Sequence, residues 1–433
     1  MMPMIHKETR RRVTSVDVPA HSWAADLGPG LASVGGDNDP SGIVTYSIAG
    51  AWFGYDMLWA VVLTYPSIVA LQLISARIAA VTGKGLTANM REHYVRPLFY
   101  LAVARFVLAN TINIAADSVA IGAAAQLLCH GSAVLFTALG GTLSLALQWF
   151  VPYGRYARII KWLAALLFAY VGVALVMRVP LDAVVVRSMI PRVTWSEDYF
   201  TVLLAVLGTT ASPYLLYSQA EQQVEERRPP SAKCAVDTDA SDNAREGRLR
   251  RLRRDTLLRV AMSNALGLFV IVAAAATLHE LDDPHDLAKV LAPVTGSLAP
   301  QMLALALLGT ALLALPPLAG SAAHAAASAF AWRRDEHRDR RIALTLVVLM
   351  VAGGLAGIAL SVMRMNPIRI LYWSAVLNGM TAAPVMALLV LLSTKRSAVG
   401  DLSTHWTLRA LSWMGIAYMG AAVAARYACK WIL

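Results

Sequence analysis

Gly35-Gly36-Asp37-Asn38-Asp39-Pro40-Ser41-Gly42 interrupts an otherwise apolar run that spans residues 26–52. Pro40 has no amide to give to a helix, and the flanking glycines accept dihedrals that other residues avoid. The run is long enough to cross a bilayer, which takes about 20 residues. In hydrocarbon, a broken backbone is tolerated only where protein buries it or water reaches it. The stretch therefore predicts a discontinuous membrane helix with a site at its break.

The rest of the chain supports the membrane class. Of its 433 residues 57% are apolar and only 15% charged, where soluble domains carry about 25% charged residues. Further apolar runs follow at 57–80, 98–128, 132–151, 159–177, 199–222, 257–278, 299–332, 342–363, 369–393 and 408–432, giving about eleven membrane helices. A basic tail, 1–25, precedes them, and no short apolar segment with a small-residue cleavage site follows that tail. The net charge of +11 lies between the apolar runs, where it sets topology and gives no reason to expect a nucleic-acid partner. With the N-terminus inside, Lys7, Arg77, Lys84, Arg91, Arg96, Arg155, Lys161, the run Arg248-Leu249-Arg250-Arg251-Leu252-Arg253-Arg254, Arg333 and Lys395 all fall on the inner side. The outer side keeps few, among them Arg178, Arg192, Lys289 and Arg426. This asymmetry predicts a multi-pass plasma-membrane protein of bacterial inner-membrane type, N-terminus cytoplasmic and C-terminus outside. The Arg-rich segment 223–256 reads as a flexible topogenic linker beside anionic lipid, the alternative being a regulatory or lipid-headgroup site. The outer loops 181–198 and 279–297 are long enough to cover an entrance.

A second run, Gly208-Thr209-Thr210-Ala211-Ser212-Pro213-Tyr214, breaks the sixth helix in the same way. Five helices separate the two breaks. Matching interruptions in two five-helix halves mark an inverted-repeat transporter with its substrate between them. The halves are 26–178 and 199–393, with 408–432 as an extra helix. Asp39 is the central residue. A carboxylate buried beside unwound backbone calls for a cation. Hydroxyls of Thr209, Thr210 and Ser212, with carbonyls near Gly36 and Thr209, complete a set of hard oxygen donors for a divalent metal. The competing role for Asp39 is to cap the helix that Pro40 starts; the paired break favours the ligand. Asp37 either lines the approach or caps a helix end. Asn110, Asn113 and Asp117 share one face of the third helix, as a polar pathway or as interhelical hydrogen bonds. His324 lies in a run of small residues and reads as a satisfied core histidine, and Asn378 is a polar residue of the tenth helix.

Enzyme chemistry finds no motif. Thr82-Gly83-Lys84-Gly85 lacks the spacing and the following hydroxyl of a phosphate-binding loop. Cys129, Cys234 and Cys429 are scattered and form no metal or redox pair. No cofactor is expected, and the oligomeric state is open, a monomer being sufficient.

Gly28-Pro29-Gly30-Leu31-Ala32-Ser33-Val34, Asp39-Pro40, Gly50-Ala51-Trp52-Phe53-Gly54-Tyr55, Leu58-Trp59 and Leu71-Gln72-Leu73-Ile74-Ser75-Ala76-Arg77 together resemble the start of the NRAMP divalent-metal transporters. The likeness continues through Ala116-Asp117 and Pro213 and more loosely to the last helix. It implies an all-α membrane fold of eleven or twelve helices, two inverted five-helix repeats with discontinuous first and sixth helices, and uptake of divalent metal, usually with protons. The departures refine this. The family's Asp-Pro-Gly-Asn is Asp39-Pro40-Ser41-Gly42 here, so Gly42 replaces an asparagine ligand. The family's Met-Pro-His is Ser212-Pro213-Tyr214. A soft thioether is replaced by a hard hydroxyl, and the histidine linked to proton movement is Tyr214. An acidic residue three positions after Asp117 is Ala120. The pattern is similar to the NRAMP-related magnesium transporters. The resulting expectation is uptake of magnesium or manganese, with iron after them, and doubtful proton coupling. The alternatives are an organic-solute permease of amino-acid type on the same fold and a metal-sensing membrane protein without transport.

Overall fold

The computed structural model describes residues 37–151, 160, 162–163, 165–177, 179–226, 242–279, 292–332, 336–395 and 405–432. All regular structure among them is helical: α1 Pro40–Phe53, α2 Leu58–Thr82, α3 Leu86–His93, α4 Arg96–Cys129, α5 Ala133–Phe150, α6 Ala169–Val176, α7 Leu181–Met189 and α8 Glu197–Thr210. The remainder are α9 Pro213–Glu226, α10 Asp242–Leu278, the short α11 Ala292–Thr295, α12 Ala299–Ala329, α13 Glu336–Val362, α14 Pro367–Thr394 and α15 Trp406–Ile432.

By length and composition, nine runs of the described residues can cross a membrane, or ten if the bent pair Ala165–Val176 and Leu181–Met189 is one span. The about eleven helices expected from sequence separate 26–52 from 57–80, whereas Pro40–Thr82 counts as one continuous run. That run doubles back. Gly54 takes φ 56 and ψ −128, a conformation that an L side chain rarely adopts, and Gly54–Met57 turns as a 3-10 helix. On one leg Tyr46 meets Thr210 and Phe53 meets the ring of Tyr199. On the other, Trp59 bonds Tyr199 and Ser75 bonds the Leu216 carbonyl. The two legs therefore run in opposite directions along α8 and α9. The turn is covered by α7: Asp56 lies 3.3 Å from Arg187 and 3.8 Å from Arg192. This is the first of the two loops expected to cover an entrance; most of the second lies outside the described residues.

Burial sorts the helices. In the apolar window of Glu197–Glu221, 94% of residues are buried, against 17% in those of α5 and of Asp339–Val362. A helix buried on every side belongs to the core. The broken helices are thus central, while α5, α13 and α15 present apolar side chains such as Leu139, Leu355 and Trp413 to lipid. α10 packs along α1 and α2, α4 along α12, α13 and α14, and α8 between α14 and α15.

Three loop readings need correction. Residues 86–93 and 181–189 form helices, short enough to escape a search for bilayer-length runs. The Arg-rich linker is helical from Asp242 onward and continues without a break into the membrane helix that was expected to start at 257. Alternating arginine and leucine suit a helix, and Arg251, Arg253 and Arg254 are exposed on it.

Candidate functional site

Asp39 sits in extended backbone (φ −65, ψ 168) directly before α1. Its Oδ1 accepts from the Gly42 amide at 2.8 Å and from the Ser41 hydroxyl at 2.7 Å. Pro40 occupies the first turn, where its missing amide costs nothing. The capping role is therefore realised, and it fixes where the carboxylate points. A side chain is compatible with both roles, because the cap uses one oxygen of two.

The second break has a parallel logic. Ser196 caps α8, which ends at Ala211 (φ −117, ψ 42). Pro213 has no amide for the Thr209 carbonyl. The Ser212 hydroxyl supplies the donor instead, 3.1 Å from Thr209 O and 2.9 Å from Gly208 O. Ser212 is thus turned back onto its own helix and its proton is committed, while its lone pairs are not. Thr210 bonds the Val206 carbonyl and Tyr46.

Gly42 connects the two breaks. A Cβ placed there would lie 2.8 Å from Thr209 Oγ1 and 3.5 Å from Asp39 Oδ1. The carboxylate of one break and the hydroxyl of the other thus reach the same point beside Gly42, where the two breaks touch too closely for a side chain at 42. Gly36 lies outside the described residues. Among those residues no three His, Cys, Asp or Glu side chains converge, so a cation here would depend on carbonyls, hydroxyls and amides beside one carboxylate.

A buried polar layer adjoins this point. Asn113 on α4 donates to Asn378 Oδ1 on α14 at 2.8 Å. Asn110 donates to Ser321 and to the Leu318 carbonyl on α12. Both asparagines of the third helix are therefore interhelical bonds. Asp117 differs: its Oδ2 is buried without a hydrogen-bond partner, as are Asn113 Oδ1, Asn378 Nδ2 and Thr45 Oγ1. Unpaired buried polar atoms are costly, so this layer has capacity for water or an ion. Tyr214 is buried in the first turn of α9.

Asp37 is held by a residue that sequence reasoning did not select. Arg259 of α10 lies 3.7 Å from its carboxylate and also donates to Gln72 on α2 at 2.7 Å. Asn38 donates to Ser263 on the same helix. The strand of backbone entering the break is thus tied to α10. Removing one member of a buried pair leaves an uncompensated charge at a cost of about 3–5 kcal/mol. Arg259→Gln is expected to lower the melting temperature in detergent, and Asp37→Asn added to it should restore most of the loss. His324 also departs from expectation: its Nδ1 is without a hydrogen bond and stands 3.6 Å from Glu221 in the C-terminal half of α9.

With this geometry in place, three likenesses bear on the chain. It is 29% identical over 306 residues to the divalent metal cation transporter MntH of Chromohalobacter salexigens, a match covering 66% of each, just under two thirds of that relative's length. The manganese transporter of Eremococcus coleocola, solved with an aromatic bis-isothiourea compound, superposes with TM-score 0.72 at 16% identity over 93% of this chain and 87% of that one. MhsT in complex with L-phenylalanine gives 0.60 at 13% identity over 94% and 100%. The last two establish a shared fold. Residues 30–427 match the natural resistance-associated macrophage protein-like family throughout, so the chain belongs to the Nramp family.

Proposed function

We propose that this protein takes up divalent metal cations through a site between its two helix breaks, by alternating access. The observation that carries the proposal is the convergence of the Asp39 carboxylate of one break and the Thr209 hydroxyl of the other at Gly42. Asp39 serves as the charged ligand, with Thr209, Ser212 oxygen and carbonyls around Gly36 and Thr209 as neutral ones. Asp117, Asn378, Tyr214 and Asp37 line the pathway or support it. The membrane potential favours entry of a divalent cation by about 4.6 kcal/mol per 100 mV, so uptake into a negative interior needs no nucleotide.

Hard donors suit magnesium and manganese better than softer metals. The solved Eremococcus coleocola neighbour is named a manganese transporter, which favours manganese, and the absence of a thioether at Ser212 favours tolerance of magnesium. Proton coupling is weak here, because the histidine and the second acidic residue that the family resemblance leads one to expect are Tyr214 and Ala120. An organic carboxylate is a poor alternative cargo: Asp39 already occupies the amide at the start of α1 and would repel it. A sensor without transport would show no flux.

Proteoliposomes loaded with a pH dye and screened across magnesium, manganese, calcium and iron test the assignment. Manganese and magnesium uptake with little acidification is expected; uptake of neither defeats it. Ser212→Met is expected to release the Gly208 and Thr209 carbonyls and add a soft ligand. Excess magnesium should then compete about tenfold less well against manganese or cadmium. Unaltered competition would show that residue 212 does not set selectivity.

A further inference from the structure

Away from the helix breaks, a cavity of about 680 Å³ opens between α3, the start of α4 and the end of α12. Its walls include Lys84, Arg91, Glu92, Arg96, Tyr100 and Trp332. Lys84 and Glu92 pair with each other at 2.5 Å. Among the described residues Arg91 and Arg96 have no ion-pair partner, so the cavity holds a surplus of two guanidinium groups. A guanidinium is a planar fork of donors that matches phosphate oxygens.

The depth of the cavity narrows the choice of anion. Arg91 and Glu92 are exposed on α3, yet Val95, Leu98 and Leu101, just beyond, are exposed and apolar, at 69%, 40% and 57%. Charge gives way to apolar surface within a few residues, as it does at the headgroup level of a bilayer. The far wall is built for the same level. Two residues past the end of α12, Ala331 takes φ 53, a left-handed conformation that an alanine adopts only at a cost. Its amide bonds Ser328 O and the next amide bonds Ala327 O, a turn that carries Trp332 back onto the cavity. Phe330, exposed at 69%, stacks on Trp332 with ring centroids 6.2 Å apart. Paired aromatic rings at a helix end are anchors of the interfacial region.

We infer that this cavity holds the headgroup of an anionic phospholipid from the surrounding leaflet. Arg91 and Arg96 grip the phosphodiester, Trp332 and Tyr100 flank the glycerol region, and the acyl chains lie along the exposed apolar side of α4. The lipid joins α3 and α4 of the first sequence half to α12 of the second. This leaflet is the one to which the basic residues assign the cytoplasmic side, where anionic lipid attracts such clusters.

Native mass spectrometry of the full-length protein in detergent, titrated with phosphatidylglycerol or phosphatidylcholine, tests the inference. Phosphatidylglycerol should remain bound under conditions that strip phosphatidylcholine. Arg91→Gln with Arg96→Gln should weaken phosphatidylglycerol binding roughly 30-fold. Arg251→Gln with Arg253→Gln removes the same charge from the exposed part of α10 and should change binding less than threefold. Equal losses in the two pairs would mean diffuse attraction and overturn the site. Glycerol phosphate or inorganic phosphate competing as well as the lipid would overturn it in favour of a soluble anion. If the double variant aggregates, Arg91→Gln alone decides: a loss of fivefold or more supports the site, and anything smaller overturns it.

Discussion

Asp39→Asn is expected to reduce uptake of radiolabelled manganese into proteoliposomes to background, a loss of at least about 100-fold, while the protein stays folded. The asparagine keeps an oxygen for the Gly42 amide and the Ser41 hydroxyl, so the cap on α1 survives. Only the charge is removed. Asp39→Ala removes both and should add a destabilisation of about 1 kcal/mol from the lost cap. The pair of variants separates ligand from cap: if Asp39→Asn transports like the native protein, the carboxylate is structural and the metal site lies elsewhere. An equal collapse of melting temperature in both variants would also count against a ligand role.

Gly208→Val should have the largest effect on stability. A Cβ at Gly208 would stand 2.3 Å from the Gly379 amide nitrogen and 2.4 Å from the Ala375 carbonyl oxygen. These are backbone atoms of α14, which no rotamer change can withdraw. α8 and α14 would have to separate, and overpacking of this kind costs about 1–3 kcal/mol even for small insertions. Valine adds two further methyl groups, so most of the protein is expected to elute as aggregate on gel filtration in detergent. Gly208→Ala should be soluble and melt several degrees lower. Gly141→Ala and Gly420→Ala, whose surroundings are open, should melt within about a degree of the native protein. A Gly208→Ala variant that behaves like these controls would rule out the close helix contact.

Both breaks were legible from sequence because their causes are local. Pro40 and Pro213 lack an amide wherever the chain goes, and Asp39 before Pro40 is a helix start in any setting. The membrane helices were legible for a similar reason, since their length is set by the bilayer. Partner choice was not. Asn113 and Asn378 are 265 positions apart, and Asp37 and Arg259 are brought together only by α10 lying along α1. Which side of a helix faces which neighbour depends on its rotation about its own axis. In α1, and in α8 from Tyr199 onward, every side is buried, so burial leaves little record of that rotation in the sequence. The orientation of Ser212 was hidden too. Its hydroxyl reads as a free ligand until the Thr209 carbonyl, left without a donor by Pro213, is seen to claim it. Gly42 drew notice as a missing asparagine, yet its place between Asp39 and Thr209 exists only in three dimensions.

The backbone contact between Gly208 and Gly379 also decides what can move. Two main chains in direct touch leave no side chain between them to absorb a change of distance, so α8 and α14 can separate only by breaking that contact. The Ser212 hydroxyl, gripping the last carbonyls of α8, then marks the fulcrum at the end of that helix. In the proposed alternating access the swing would fall to α9, and the Ser75 bond to the Leu216 carbonyl would carry α2 with it. On the proposed alternating access, the first half of the sixth helix would serve as the frame and the second half as the moving arm.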